Sequence, residues 1–273
     1  MKNIKIGFIG GGNMARSLIA GLIADGIAPS QLIVSAPSKE TRQALETHFT
    51  IQTSEDNQSL VDHCDVIVLA VKPQVLKSVM TQLNLSKQPA PLLLTVAAGI
   101  PIASIRSWLD SPVSIVRAMP NTPALVQSGA TGLFAAPEVT TSQRDTAESI
   151  MRTAGLVQWV PEEALMDAVT AVSGSGPAYY FLVMEAMEKA GISLGLNQET
   201  ARLLSIQTAL GAAKLALEAN EDPAVLRQRV TSPGGTTEKA IEVLSQGGLI
   251  ELFDEALTAA RNRAVELAQQ LGK

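Results

Sequence analysis

The chain has 273 residues, with 21 basic and 26 acidic side chains and a net charge of −5 when both histidines are neutral. Hydrophobic residues make up 46% and charged residues 17%, which excludes a disordered chain and, at roughly 100–200 residues per domain, predicts two domains. The mild acidity disfavours a nucleic-acid partner, since phosphate binding needs clustered lysines and arginines. A single cysteine, Cys64, excludes an internal disulfide and a thiolate zinc site, and with two histidines we expect no metal.

No segment approaches the roughly 18 consecutive apolar residues that a membrane-spanning helix needs. Lys2 and Lys5 precede an apolar run, but that run is too short for a signal peptide and continues directly into glycines. We therefore expect a cytoplasmic protein with no membrane partner.

The first half of the chain alternates short apolar runs with amphipathic stretches. Runs typical of strands buried on both faces of a parallel sheet lie at 4–9, 32–35, 66–71, 92–96 and 114–118. Helical patterns lie between them at 13–24, 39–48, 74–82 and 102–108, and two further strands at 129–134 and 156–160 flank a helix at 142–154. This order predicts a doubly wound, Rossmann-type parallel sheet.

The pattern changes after Pro161 and becomes entirely helical, with helices predicted at 162–172, 178–190, 198–219, 224–229, 237–245 and 250–271. We place a domain boundary near residue 160, between a dinucleotide-binding domain at 1–160 and an all-helical domain at 161–273. The helix within 201–217 is apolar on more than one side, so it needs burial on most sides. We expect a second subunit to cover it.

A glycine-rich turn follows the first predicted strand and opens the first helix. Residues 10–15 fit the G-x-G-x-x-G/A pattern, with Gly10, Gly12 and Ala15 at the three small positions. Free N–H groups at a helix N-terminus favour a pyrophosphate, and we expect Asn13 and Met14 to contact the cofactor as well. A glycine-rich turn without a ligand is the alternative.

The end of the second predicted strand indicates which dinucleotide binds. NAD-binding sites place an acid there for the ribose 2′-hydroxyl, whereas here no acid precedes Glu40. Ser35 and Ser38 can donate hydrogen bonds to a 2′-phosphate, and Lys39 and Arg42 can supply positive charge. We therefore expect NADPH to be preferred, with NADH as a possible substitute.

The strands predicted at 66–71, 92–96 and 114–118 end at the same edge of the sheet as the first two strands. In doubly wound folds this carboxyl edge lines the ligand crevice. The small residues after the fourth predicted strand, 92–96, leave room for a nicotinamide ring. The further residues that we expect to contact the cofactor are Asn57, Ala70, Val71, Lys72, Ala97, Ala98 and Gly99. The next loop, 117–123, has two prolines around Asn121 and is predicted to be either a rigid polar wall of the crevice or a chain reversal.

Two motifs in the helical half are candidates for substrate binding. At 173–177, glycines and a proline interrupt a helical pattern, and we expect a break that exposes N–H groups near Ser175, or else a plain turn. At 231–238, hydroxyls and glycines precede a helix, which is a suitable cradle for a small carboxylate. The residues expected to form that cradle are Ser232, Gly234, Gly235, Thr236 and Thr237.

The segments 6–15, 71–73, 117–123, 171–179 and especially 231–237 resemble those of the pyrroline-5-carboxylate reductase family, in the same order and over nearly the whole chain. The resemblance implies NAD(P)H-dependent reduction of Δ1-pyrroline-5-carboxylate to L-proline, the last step of proline synthesis. It also implies a helical domain that forms a homodimer, with dimers assembled into a decamer. The substrate carboxylate would lie on the loop 232–237, with Thr237 beside the ring nitrogen and an acid from 220–222 nearby.

The residue chemistry agrees with a C=N substrate. Reduction of a carbonyl normally calls for a proton donor, yet neither His48 nor His63 lies near a crevice motif. A cyclic iminium ion can arrive already protonated, so the Thr237 hydroxyl needs only to orient the nitrogen.

Two alternatives stay open. Dehydrogenases of the β-hydroxyacid type use a similar first half and a lysine in a long helix, but here 178–190 carries only Lys189, at its far end. A protein that binds a dinucleotide without turnover is the other alternative. The reductase assignment requires that Gly12 and Thr237 face a common gap, within one chain or together with a neighbouring subunit.

Overall fold

The computed structural model describes residues 4–86 and 89–272. Eight strands in the described residues form one sheet in the order β3-β2-β1-β4-β5-β6-β7-β8. The strands are β1 (Ile6–Ile9), β2 (Leu32–Ser35), β3 (Gln52–Ser54), β4 (Val66–Leu69), β5 (Leu92–Thr95), β6 (Ile115–Met119), β7 (Gly129–Ala135) and β8 (Gly155–Trp159). The helices of this part are α1 (Asn13–Ala24), α2 (Lys39–Phe49), α3 (Asn57–His63), α4 (Pro73–Met80), α5 (Ile102–Ser107), α6 (Thr141–Arg152) and α7 (Leu165–Val169).

The central strands are apolar because both of their faces are covered. In β4, Val66 and Val68 belong to one buried cluster and Ile67 and Leu69 to another, so neighbouring side chains point to opposite sides of the sheet. All four residues of β1 and of β4 are buried. The order 3-2-1-4-5-6 within this sheet is that of a Rossmann-type fold, which confirms the predicted fold class.

The sheet differs from the prediction at its edges. β7 runs antiparallel to β6, because the connection between them contains only a short 3-10 segment, Thr122–Val126, and a parallel return needs a crossover of a dozen or more residues. β8 then pairs with β7 in parallel. The three polar residues of β3 carry no hydrophobic pattern, so this edge strand was not predicted.

The chain divides by packing into two compact units. The first comprises Met1–Ser175 with Ala259–Lys273, and the second comprises Gly176–Thr258. This division lies 15 residues after the predicted boundary at 160 (175 − 160), and it places the end of the chain with the first unit. The remaining helices are α8 (Gly176–Ser193), α9 (Gln198–Glu218), α10 (Pro223–Arg229), α11 (Thr236–Gln246) and α12 (Leu249–Leu271).

No helix among the described residues is both long and apolar enough to cross a membrane. Cys64 is buried and forms no disulfide. Within the described ranges, histidine, cysteine and acidic side chains nowhere form a group of three that could hold a metal ion.

Candidate active site

The glycine turn lies between β1 and α1, and two of its glycines serve different purposes. Gly10 has φ +105°, and a Cβ there would lie 2.6 Å from the Ala70 carbonyl oxygen, so packing against the neighbouring strand requires glycine. A Cβ at Gly12 would meet nothing within 4 Å. The chain's own packing therefore does not require glycine at 12, whereas close approach of a ligand to the backbone would require it.

The N-terminus of α1 is open to an anion. Gly12 is its N-cap and supplies no side-chain cap, and Gly12 and Asn13 are both exposed. Among the described residues, no side chain caps the first N–H groups of this 12-residue helix, and the helix dipole favours negative charge there. A dinucleotide pyrophosphate fits this turn.

The register of the parallel strands brings the predicted cofactor residues to one edge. Ile9 pairs with Ser35 of β2 and with Leu69 of β4, and Leu69 pairs with Thr95 of β5. The segments that follow these strands therefore leave the same, carboxyl edge of the sheet, where doubly wound folds bind ligands. The Lys72 side chain is exposed there, with no hydrogen-bond or ion-pair partner among the described residues.

The Ser35 hydroxyl is less available to a ligand than the sequence predicts. Ser35 is 1% exposed, and its Oγ donates to Asn57 Oδ1 at 2.6 Å. Asn57 lies at the start of α3. Its side-chain Nδ2 donates no hydrogen bond among the described residues, so it is available to a ligand. The pair places Asn57, rather than Ser35 itself, at the surface of the predicted ribose site.

Arg42 is also committed within the protein. Its Nη1 donates to the carbonyl oxygens of Ala36 at 2.7 Å and Pro37 at 3.0 Å, and its Nη2 pairs with Glu55 at 2.9 Å. The guanidinium therefore braces the turn after β2. The Lys39 side chain is exposed and has no partner in the described chain, so it is the cation of this turn that is left for a phosphate.

The loop after β5, which contains Ala97, Ala98 and Gly99, is held at both ends. Thr95 Oγ1 accepts the Ala97 N–H at 3.2 Å, and Glu163 Oε1 accepts the Ile102 N–H at 2.8 Å. Gly99 has φ +70°. The small side chains of this loop are thus held in one conformation at the predicted nicotinamide end.

Glu163 is a residue that the sequence analysis missed. Besides capping the loop, its Oε1 accepts from Arg117 Nη1 at 3.2 Å, and Arg117 on β6 is 5% exposed. Glu163 lies 61 residues from Ile102 and 46 from Arg117, so no local pattern could reveal the contact. Burial raises the pKa of the neighbouring Asp167, against the opposing effect of Arg117 and Arg261.

The loop 117–123 is tied to the rest of the first unit by Asn121. Its Nδ2 donates to the Ser173 carbonyl oxygen at 3.0 Å, and its Oδ1 accepts the Ala130 N–H at 2.9 Å. Both ends of the amide are therefore used for structure. This explains a polar residue between two prolines without a ligand.

The predicted break at 173–177 is not a loop. Thr170–Gly174 form a π-helical segment between α7 and α8, and the Ser175 N–H donates to the Thr170 carbonyl oxygen at 2.8 Å. The expectation that the Ser175 N–H is exposed is therefore wrong. Such π segments are frequent at functional sites, and the Ser175 side chain keeps no partner in the described chain.

The predicted carboxylate cradle is the N-terminus of α11 in the second unit. Two of its N–H groups are used internally, because Gly234 donates to Glu238 Oε2 at 2.8 Å and Gly235 donates to the Ser232 carbonyl oxygen at 3.0 Å. The groups that remain are the first-turn N–H groups and the hydroxyls of Ser232, Thr236 and Thr237, of which Thr237 is the partly buried one. Gly234 adopts φ +72°, which favours glycine.

The acids at 220–222 also have partners. Glu221 forms an ion pair with Arg229 at 2.5 Å, and the Asp222 carboxylate caps α10 by accepting the Ala224 N–H at 3.0 Å. Neither carboxylate is free in this chain.

Two open cavities of the first unit lie at the opposite edge of the sheet. The larger, about 690 Å³, is lined by Arg106, Glu138 and residues 109–114, next to the amino end of β6. The glycine turn contributes to neither cavity. We place the candidate site at the carboxyl edge instead, because the glycine turn, the uncapped N-terminus of α1 and the segments after β2, β4 and β5 all lie there.

The sheet order, the glycine turn and the attached helical region define a dinucleotide-binding protein of the Rossmann class. Residues 163–267 match the family model described as pyrroline-5-carboxylate reductase dimerisation, and residues 5–99 match that of NADP oxidoreductase, coenzyme F420-dependent. A pyrroline-5-carboxylate reductase of Pseudomonas aeruginosa is 49% identical over 273 residues, covering 100% of both chains. The chain belongs to the pyrroline-5-carboxylate reductase family.

Solved structures agree with this membership. A pyrroline-5-carboxylate reductase from Coxiella burnetii is 50% identical, with a TM-score of 0.94 over 97% of this chain and 99% of the other. A pyrroline carboxylate reductase from Plasmodium falciparum with NADP bound is 30% identical, with a TM-score of 0.85 over 98% and 99% of the two chains. Both likenesses extend over both units.

Proposed function

We propose that this protein reduces Δ1-pyrroline-5-carboxylate to L-proline with NADPH, the last step of proline biosynthesis. The observation that carries the proposal is the 49% identity to a reductase of that name over the whole length of both chains. The glycine turn and the hydroxyl-rich loop at 232–237 supply the two binding functions that such a reaction requires.

The first unit would hold the cofactor, which supplies hydride to the carbon of the C=N bond when bound. Gly10, Gly12 and the N-terminus of α1 would bind the pyrophosphate, and the loop at 97–99 would border the nicotinamide. Asn57 and Lys39 offer the unpaired donors at the ribose end. With Lys39 present, NADPH is preferred over NADH.

The second unit would bind and orient the substrate. The free N–H groups of α11 and the hydroxyls of Ser232 and Thr236 suit a carboxylate, and the Thr237 hydroxyl suits the ring nitrogen. A protonated imine needs no further acid, so orientation is the main contribution that these side chains make to the rate.

The same proposal covers assembly and location. We assign residues 1–160 to cofactor binding and 161–273 to substrate binding and dimerisation, since the dimerisation model begins at residue 163. The functional form would be a homodimer, further assembled into a decamer, and its mass in solution tests this. We place it in the cytoplasm, because a chain with one cysteine forms no internal disulfide of the kind common in secreted proteins; cell fractionation tests this location.

The experiment is to mix the purified protein with NADPH and pyrroline-5-carboxylate and to follow the absorbance at 340 nm, with proline identified as the product. The proposal would be contradicted if NADPH were consumed only with the carbonyl compound that corresponds to a β-hydroxyacid. It would also be contradicted if the protein bound NADPH without turnover. A higher kcat/KM with NADH than with NADPH would overturn the cofactor preference.

Replacement of Thr237 tests its role. We expect Thr237→Ala to lower kcat/KM by roughly 10–100-fold, the effect of losing one hydrogen bond to a charged group, while Thr237→Ser keeps the hydroxyl and most of the activity. Thermal unfolding of both variants controls for folding. Equal activity of Thr237→Ala and the parent protein would remove Thr237 from the mechanism.

A further inference from the structure

The segment after β2 presents charges of both signs, and only some of them are available to a ligand. Arg42, one of the two cations predicted near the phosphate, is held by Ala36, Pro37 and Glu55, and its side chain is 17% exposed. The Lys39 side chain has no partner in the described chain. The positive charge at this end of the site therefore comes from one flexible lysine rather than from two cations.

A carboxylate lies in the same place. Ser38 Oγ donates to Glu40 Oε2 at 2.6 Å while accepting the Thr41 N–H at 3.2 Å, so both functions of this hydroxyl are in use. The hydrogen bond from Ser38 lowers the pKa of Glu40, so the carboxylate is ionised at neutral pH. The first acid after β2 thus reaches back to the residue expected to bind a 2′-phosphate.

The distances make the phosphate and the carboxylate competitors. A phosphate oxygen bound by Ser38 would lie about 2.7 Å from its Oγ, and therefore within about 5 Å of the Glu40 carboxylate. Ser38 must also release Glu40 in order to donate to the phosphate. A ribose 2′-hydroxyl carries no charge and can itself donate to a carboxylate, as it does in NAD sites.

We infer that Glu40 is a specificity-determining residue. Its carboxylate repels the 2′-phosphate of NADPH, so it reduces the preference for NADPH over NADH that the Lys39 charge creates. This inference rests on the proposed function, because it concerns the cofactor of the same reaction. According to this inference, Lys39 raises the preference for NADPH and Glu40 lowers it, while Arg42 has a purely structural role.

The test compares Glu40→Gln with Lys39→Ala and with the control Glu46→Gln, which removes the same charge from the same helix at a residue hydrogen-bonded to Thr53. For each protein, kcat/KM is measured with NADPH and with NADH. Binding of adenosine 2′,5′-bisphosphate and of adenosine 5′-monophosphate is measured by calorimetry. The two nucleotides differ only in the 2′-phosphate, and their binding needs no turnover.

We expect Glu40→Gln to raise the NADPH/NADH ratio of kcat/KM, and the affinity ratio of the two nucleotides, about fivefold, the size of one screened charge pair at this separation. Lys39→Ala should lower both ratios about tenfold, and Glu46→Gln should change neither by more than twofold. Equal shifts in Glu40→Gln and Glu46→Gln, or an unchanged or lowered ratio in Glu40→Gln, would overturn the inference. Nucleotide binding without reductase turnover would instead refute the proposed function and leave this test intact.

Discussion

The two units of the chain bury their apolar side chains from solvent to very different extents. In the first unit, the central strands β1, β4 and β5 are buried completely by helices of the same unit. In the second, large apolar side chains stay on the surface, among them Leu194 at 87% and Leu217 at 78% exposure. Apolar patches of this kind mark interaction surfaces, so the first unit completes its core within one chain and the second does not.

If the first unit is self-sufficient, its candidate site depends on packing within that unit, and Gly10 is a sensitive position of the glycine turn. We expect Gly10→Ala to lower the free energy of unfolding by roughly 3 kcal/mol, because alanine disfavours φ +105° and its Cβ would overlap the Ala70 carbonyl oxygen. Thermal and urea unfolding measure this loss.

Gly12→Ala is the matched variant, with the same added methyl two residues away. Its φ of −76° suits alanine and its Cβ meets no protein atom, so stability should fall by at most about 1 kcal/mol, for the poorer N-cap. The KM for NADPH should nevertheless rise tenfold or more. Unchanged KM in a folded Gly12→Ala protein would show that no ligand approaches this turn.

If the second unit needs a second copy of the chain to cover its apolar surface, then we expect α9 to lie in that interface. Leu203, Leu210 and Leu217 recur at seven-residue intervals and are 59%, 59% and 78% exposed. We expect Leu210→Glu to weaken self-association at least a hundredfold, because a charge would be buried in the interface. Sedimentation velocity measures the mass.

Leu156→Glu is the control for that experiment, since Leu156 is 49% exposed in β8 of the first unit. Its mass in solution should equal that of the parent protein. A parent protein that sediments as a monomer would contradict the proposed dimer, whatever the variants do.

The smallest expected effect concerns Asp167, in the first unit beside Arg117 and Glu163. Because burial raises its pKa in the folded state, ionisation of Asp167 costs stability, and that cost appears as the pH rises through the raised value. Asp167→Asn should therefore be more stable than the parent at pH 8, with a difference that shrinks as the pH falls towards 4. Urea unfolding at both pH values, with exposed Asp145→Asn as the control, measures it; a constant difference would contradict the assigned cause.

Sequence patterns predicted the elements whose signals are local and strong. The helix at 13–24 has the observed bounds of α1, and the strand at 32–35 has those of β2, because buried strands are apolar and amphipathic helices are periodic. The three polar residues of β3 have no such signal. The break predicted at 173–177 lies partly within the π-helical segment Thr170–Gly174, because glycine and serine favour loops by themselves and only packing keeps them helical.

At the site, the sequence identified candidate residues but not their partners. It predicted Lys39 and Arg42 as equivalent cations, whereas hydrogen bonds to Ala36 and Pro37 commit Arg42 to the turn. Residue types and their order along the chain were therefore enough to indicate the Rossmann-type sheet, the glycine turn and the family resemblance. The folded chain decided which charges stay free, how Glu163 closes the loop before α5 and which way β7 runs, since these depend on contacts between residues far apart in sequence.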